Sequence, residues 1–190
     1  MNPIHTAAQE IQDFCEENVW KFCFIGGLAV QRWGEPRHTQ DADMTLLTGF
    51  GGEELWVDAL LERFEPRRPD AREFSLRYRV LLISASNGVP LDVALGAMPF
   101  EERAIERSSC WRVSDQQAIR TCSAEDLVVH KAFAGRERDW ADIEGILSSQ
   151  KSTLKARSII VELEPLLELK EDLQTIIKIR SLFHKYGIHK

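Results

Sequence analysis

Asp41, Asp43 and Asp92 are the residues whose type and spacing promise chemistry. Asp41-Ala42-Asp43 heads the run Met44-Thr-Leu-Leu47, and Asp41–Leu47 reads as a strand. Residues two apart on a strand point to the same side. Asp41 and Asp43 are therefore expected to project together, and a third carboxylate from Leu91-Asp92-Val93 can converge on them. Three crowded carboxylates repel one another unless a cation lies between them. Mg²⁺ suits such a place, because it takes oxygen ligands and leaves positions for phosphate and water. Mn²⁺ shares that preference. Two such ions can clamp a nucleoside triphosphate (NTP), one favouring an attacking alkoxide and the other the pyrophosphate leaving group.

Gly26 and Gly27, with thirteen residues between them and Asp41, stand where an apolar aromatic run, Trp20–Ile25, gives way to helical spacing. Without side chains, a strand-to-helix turn lets phosphate oxygens approach the N–H groups at the helix start. A lone Gly-Gly is more often a tight turn with no ligand. Two aligned acids downstream favour the nucleotide-binding reading.

These residues together resemble a known family. Ile-Gly-Gly-Leu-Ala-Val-Gln, then Arg37-His-Thr39, then Asp-Ala-Asp is similar to the minimal nucleotidyltransferase superfamily, and among its groups to the AbiEii-type toxins and their bacterial relatives. Further matches are a helix with Lys131 and a following Arg136-Glu-Arg-Asp139. The resemblance covers roughly residues 20–147; the tail beyond matches only in being helical. It implies a polymerase-β-like core and transfer of a nucleoside monophosphate from NTP to an acceptor. Asp41 and Asp43 would then hold metal, and Asp92 would be the third ligand and general base. Gly26, Gly27, Arg37, Thr39, Lys131 and Arg136 would meet the nucleotide, with Asp139 in support. Many superfamily members carry Gly-Ser where this chain has Gly-Gly, and the toxin-like group shares that departure.

Each of these side chains also has a plainer reading. Thr39 can cap a turn and Arg37 can pair with a surface acid. Lys131 can be a snorkelling lysine on a solvated face. Arg136 with Asp139, and Arg138 with Asp142, have the spacing of helix-surface ion pairs, worth only ~0.2–0.5 kcal/mol each. Asp139 can instead aim Lys131 or Arg136. His38 and His130 lack a second ligand at metal spacing. The five tryptophans read as core or core edge, with base stacking by Trp33 or Trp140 the less favoured option.

The elements that must position these residues form a mixed α/β (α+β) arrangement: a small mixed sheet flanked by helices, then a helical tail. Helical spacing runs over Ile4–Glu17, Leu28–Gly34 and Glu53–Phe64. Strands are expected at Trp20–Ile25, Asp41–Leu47, Phe74–Ser84 and Val89–Leu95, the last two joined by a hairpin at Asn87-Gly88. Trp111–Val113 and Ile119–Thr121 read as further short strands. Ser123 with Asp126 resembles a capping box. Helices follow over Ala124–Ala134 and Glu137–Leu147, with two more between Ser152 and Tyr186. The expected division is a nucleotidyltransferase core over 1–122 and a helical region over 123–190.

Bulk properties exclude several classes. The 190 residues are 44% hydrophobic and 28% charged, which suits a globular chain with a real core. A net charge of −6 argues against a protein that coats nucleic acid. Arg63, Arg67, Arg68, Arg72, Arg77 and Arg79 crowd one stretch and read equally as a basic groove or as scattered ion pairs. Cys15, Cys23, Cys110 and Cys122 show no C-x-x-C pair, so zinc is disfavoured and free thiols are expected. No run approaches the ~18 apolar residues of a membrane span. The first ten residues lack a signal-peptide layout, and the expected location is cytoplasmic.

The leading expectation is an enzyme that moves a nucleoside monophosphate onto a hydroxyl of a tRNA end, a protein or a small molecule. Its partners are NTP, that acceptor and, if it is a toxin, an antitoxin; no membrane is involved. The alternative is an inactive nucleotide-binding or protein-interaction module on the same fold. A metal-stabilised structural protein is the blandest option and leaves Gly26-Gly27 and Lys131 unexplained.

Overall fold

The computed structural model describes residues 2–188. They form two compact units: residues up to Leu28 together with His38–Cys122, and Ala29–Arg37 together with the chain from Ser123 onward.

The first unit is built on a sheet. Its elements, in chain order, are α1 (Pro3–Glu17), β1 (Phe22–Phe24), the start of α2 (Gly26–Trp33), β2 (Ala42–Leu47), α3 (Glu54–Arg63), β3 (Glu65–Pro66), α4 (Ala71–Tyr78), β4 (Val80–Ser84), β5 (Pro90–Gly96), α5 (Pro99–Glu106), β6 (Ser109–Arg112) and β7 (Ala118–Thr121). Among the described residues, seven strands make one mixed sheet in the order β3-β4-β5-β2-β1-β7-β6. β2 lies at its centre, antiparallel to β1 and parallel to β5.

Alternation along β4 and β5 divides the sheet into two faces. Leu81, Ile83, Leu91 and Val93 are fully buried, whereas Leu82 and Asp92 between them are half-buried. The buried set joins Ala42, Met44 and Leu46 of β2 and Ala7, Ala8, Ile11 and Cys15 of α1 in one cluster. Each fully buried aliphatic side chain contributes roughly 1.5–3 kcal/mol. A one-residue slip would throw the whole set to the other face, so this packing also fixes the register that the acids depend on.

The hairpin at Asn87-Gly88 is present. Gly88 has φ +79°, and Ala85 N–H donates to Val89 O at 2.9 Å. The expected strand over Phe74–Ser84 is corrected: α4 occupies the first part and the strand begins only at Val80. Phe74 and Tyr78 are strand-favouring by type, but four apart on a helix their rings pack at a tilt with centroids 4.7 Å apart. Arg79 ends α4 at φ +56°. Its guanidinium holds that left-handed turn by donating to Leu95 O (2.6 Å) and Gly49 O (2.8 Å) and by pairing with Glu53. α5 was not foreseen. Pro99 sits in its first turn, and the Glu101 carboxylate accepts from Ala97 N and Met98 N at 2.8 Å each.

Of the cysteines, Cys15, Cys23 and Cys122 are buried and Cys110 is exposed, and all four are free thiols. Burial pushes the Cys15 thiol up to about 12, so it stays protonated and inert.

The second unit is helical: residues 29–37, α6 (Ala124–Ala134), α7 (Glu137–Gln150), α8 (Ala156–Lys170) and α9 (Leu173–Tyr186). Ser123 caps α6 by accepting from Asp126 N at 3.1 Å, and Gly135 closes it at φ +68°. Leu127, Val128, Val129, Ile143, Ile146, Ile159, Leu163 and Ile179 are fully buried. Among the described residues, no helix is long and apolar enough to cross a membrane.

Candidate active site

β2 and β5 bring the acids together. Asp43 and Asp92 are register partners on these parallel strands. Asp41 lies just before β2, two residues from Asp43 and therefore on its side. One carboxylate oxygen from each of Asp41, Asp43 and Asp92 lies within 4.8 Å of the other two, and all three residues are half-buried.

The surroundings hold each acid in place. Thr39, itself buried, donates through Oγ1 to Asp41 Oδ1 at 3.0 Å. The Asp43 carbonyl accepts from Ile25 N at 2.9 Å, which ties the glycine turn to β2. Burial pushes the Asp92 carboxyl above its ordinary range; the Arg67 guanidinium pulls it back, and the Asp41 charge pushes it up again. Arg67 is in direct contact with Asp92 Oδ1.

Gly26 and Gly27 are required by space. Gly26 has φ +58°, and a Cβ there would lie 1.9 Å from Asp43 Oδ2. A Cβ on Gly27 would lie 2.4 Å from Thr39 Oγ1. Both residues open α2, whose first N–H groups have no acceptor within the helix. The turn therefore presents backbone donors beside the acids.

The donor set fits a hard divalent cation. It is all oxygen and carries three negative charges, the ligand chemistry such a cation prefers.

The remaining sequence candidates lie in the second unit and form a knot of their own. Arg37 forks onto Asp142, Nε to Oδ1 at 2.7 Å and Nη2 to Oδ2 at 2.9 Å. Lys131 Nζ bridges Asp139 Oδ1 (2.9 Å) and Asp142 Oδ2 (2.8 Å), with all three side chains at most 10% exposed. Burial alone would raise the Asp142 carboxyl, but hydrogen bonds and charge from Arg37 and Lys131 outweigh it and hold it below the usual range. Asp139 Oδ2 also accepts from Arg136 N at 3.2 Å, while the Arg136 guanidinium is 81% exposed. Trp140 donates through Nε1 to Gly135 O at 3.1 Å and lies under Lys178.

Two neighbours of these residues are not anticipated by the sequence. The spacing pairs Asp142 with Arg138 and leaves Arg67 as one of six clustered arginines. The structure resolves much of that cluster into separate ion pairs: Arg63 with Glu10, Arg67 with Asp92, Arg68 with Asp70, Arg72 with Asp58 and Arg79 with Glu53.

No protein-family model and no curated protein sequence matches the chain. Solved structures do. An antigenic nucleotidyltransferase-like protein from Paracoccidioides brasiliensis superposes with a TM-score of 0.50 at 16% identity, covering 95% of this chain and 94% of that one. The antibiotic-resistance factor ANT(2'')-Ia superposes with a TM-score of 0.53 at 17% identity, covering 97% of each chain. ANT(2'')-Ia in complex with adenylyl-2''-tobramycin gives 0.52 at 16% identity, over 87% of this chain and 98% of that one. The fold is that of the nucleotidyltransferase-like proteins.

Proposed function

We propose that this chain transfers a nucleoside monophosphate from an NTP to a hydroxyl, with Mg²⁺ or Mn²⁺ held by Asp41, Asp43 and Asp92. The observation that carries this reading is the meeting of three carboxylates within 4.8 Å, beside a glycine turn with no room for side chains. When bound, the cation supplies neutralisation of the triphosphate and of the attacking oxygen. Asp41 and Asp43 hold it, and Thr39 aligns Asp41. The N–H groups at the start of α2 receive phosphate oxygens. Asp92 takes the proton of the acceptor hydroxyl. The acceptor oxygen bonds to the α-phosphorus, the bond from that phosphorus to the β-phosphate oxygen breaks, and pyrophosphate leaves with the electron pair.

Residues 1–122 carry the chemistry in this reading, and residues 123–190 recognise the acceptor. Within the second unit, Arg37 and Lys131 are held by Asp142 and Asp139. The first acceptor class to test is a small-molecule hydroxyl, because the fold matches ANT(2'')-Ia, which has been captured with an adenylyl-tobramycin. A second reading is a toxin that modifies a tRNA end or a protein and is held by an antitoxin. The Gly26-Gly27 pair in place of Gly-Ser favours it.

The test is incubation with each labelled NTP, Mg²⁺ and, in turn, aminoglycosides, total RNA and total protein. Label transferred by the native chain and lost in Asp43→Ala supports the enzyme, and the labelled fraction names the acceptor class. NTP binding with no transfer to any of these supports the inactive nucleotide-binding module instead.

A further inference from the structure

Arg67 is anchored in the sheet beside the acids. Its N–H donates to Leu82 O at 3.0 Å, one residue beyond the Glu65–Pro66 pairing with β4. Leu82 is in turn the register partner of Asp92 on β5. Arg67, Leu82 and Asp92 therefore lie in one row across three strands. Pro66 and Pro69 flank the arginine and restrict the backbone around it. From this fixed base the side chain spans β4 and sets its guanidinium against Asp92 Oδ1. Each of the two side chains is 30% exposed.

An ion pair at such exposure is ordinarily of little consequence. This one differs in its acid. Asp92 belongs to the group of three carboxylates within 4.8 Å, so the guanidinium sits on a carboxylate that a divalent cation needs. It also cancels one of the three negative charges that attract the cation. The other paired arginines of the cluster use acids outside that group: Asp70, Asp58, Glu53 and Glu10.

We propose that Arg67 is a tethered counter-ion for Asp92. It positions the third carboxylate when no cation is present and competes with the divalent cation for it, so that cation entry and guanidinium release are one exchange. This rests on the reading of Asp41, Asp43 and Asp92 as a metal centre. Arg67 thereby sets how much free divalent cation the protein needs before the centre fills. A purely structural arginine would have the opposite signature, since its loss would loosen Asp92 and weaken the site.

The experiment is a Mn²⁺ titration of the full chain without nucleotide at fixed ionic strength, read by the electron paramagnetic resonance signal of free Mn²⁺. The proteins are the native chain, Arg67→Gln, Arg67→Lys, Arg68→Gln and Asp43→Asn. Arg67→Gln is expected to bind Mn²⁺ about three- to tenfold more tightly than the native chain. Arg67→Lys, which keeps the charge but not the planar fork, should fall between them. Arg68→Gln removes the same charge one residue away and should stay within about twofold of native. Equal or weaker binding by Arg67→Gln, or an Arg68→Gln effect as large, overturns the counter-ion role and leaves the metal centre standing. Binding in every variant no better than in Asp43→Asn, the native chain included, overturns the metal centre and this proposal with it.

Discussion

Asp43 and Asp92 sit directly opposite one another on neighbouring parallel strands, and the oxygen they share space with belongs to Asp41. Like charges paired across a sheet are destabilising. The sheet tolerates them here because β2 and β5 are locked by the buried residues on their other face. Stability is thus spent on the acids rather than gained from them.

Asp43→Asn should therefore have two opposite effects. Without divalent cation, in EDTA, the variant should be as stable as the native chain or more stable, because repulsion falls. With Mg²⁺ or Mn²⁺ present, the native chain should gain melting temperature and the variant should not. Nucleotidyl transfer should fall by about 100-fold or more, since cation stabilisation is worth several kcal/mol. Thermal melts with and without EDTA check the first pair of outcomes, and labelled transfer checks the last.

Gly26→Ala tests the turn. The added methyl must adopt φ +58° and displace the Asp43 carboxylate, 1.9 Å away. Left-handed backbone costs ~1–2 kcal/mol for a residue with a Cβ, and overpacking adds ~1–3 kcal/mol. Urea unfolding should show a loss of about 2–5 kcal/mol. Mn²⁺ affinity should fall as well, because the clash is with a ligand and not with a neutral wall. Full Mn²⁺ affinity in a folded Gly26→Ala protein would count against the placement of the turn beside the cation.

Much of this site was legible because local periodicity controls it. Asp41-Ala-Asp43 ahead of an apolar run fixes two carboxylates on one side of a strand with no tertiary knowledge. Gly26-Gly27 marks a strand-to-helix turn by type alone. Partners distant in sequence were not legible. That Asp43 meets Asp92 in register depends on β5 inserting beside β2 after an intervening hairpin. Arg37 stands close to the metal motif in sequence, yet its guanidinium lies on Asp142, 105 residues on. Six arginines in one stretch do not announce which of them reaches Asp92. The misread start of the strand over Phe74–Ser84 has the same origin, since aromatic residues that favour strands by type pack on α4 instead. α5 is eight residues long, and only Phe100, Ala104 and Ile105 mark its buried side.

Asp142 makes the stability of the second unit depend on pH. Its carboxyl is held below the usual range in the folded chain, so its contribution is present above the unfolded value, about 3.9. That contribution is lost as pH falls through the lower folded value. Asp142→Asn leaves Lys131 with Asp139 as its carboxylate partner and takes from Arg37 the carboxylate that its fork holds. Breaking a buried pair costs ~3–5 kcal/mol, and partial exposure of Arg37 brings the expectation to about 2–4 kcal/mol at pH 7. The difference between native and variant, measured by urea unfolding, should shrink steadily below about pH 4. A difference that stays constant to pH 3 would mean that the carboxylate charge is not what Arg37 and Lys131 require.

Val19 offers a separate test, away from the acids. It follows α1 at φ +58° with 89% of its surface exposed, and its N–H closes the helix by donating to Glu16 O at 3.0 Å. A β-branched residue in the left-handed region is strained, and glycine is the usual occupant of this place after a helix. Val19→Gly should remove ~1–2 kcal/mol of strain. It should lose part of that gain, ~0.5–1 kcal/mol, to the greater freedom of the unfolded chain. The net expectation is a stabilisation of about 0.5–1 kcal/mol, with Mn²⁺ affinity and transfer unchanged, because Val19 touches none of the site residues. Urea unfolding of Val19→Gly beside Val19→Ala separates the two causes: alanine removes the branching but keeps the left-handed penalty, so only glycine should raise the midpoint by the full amount.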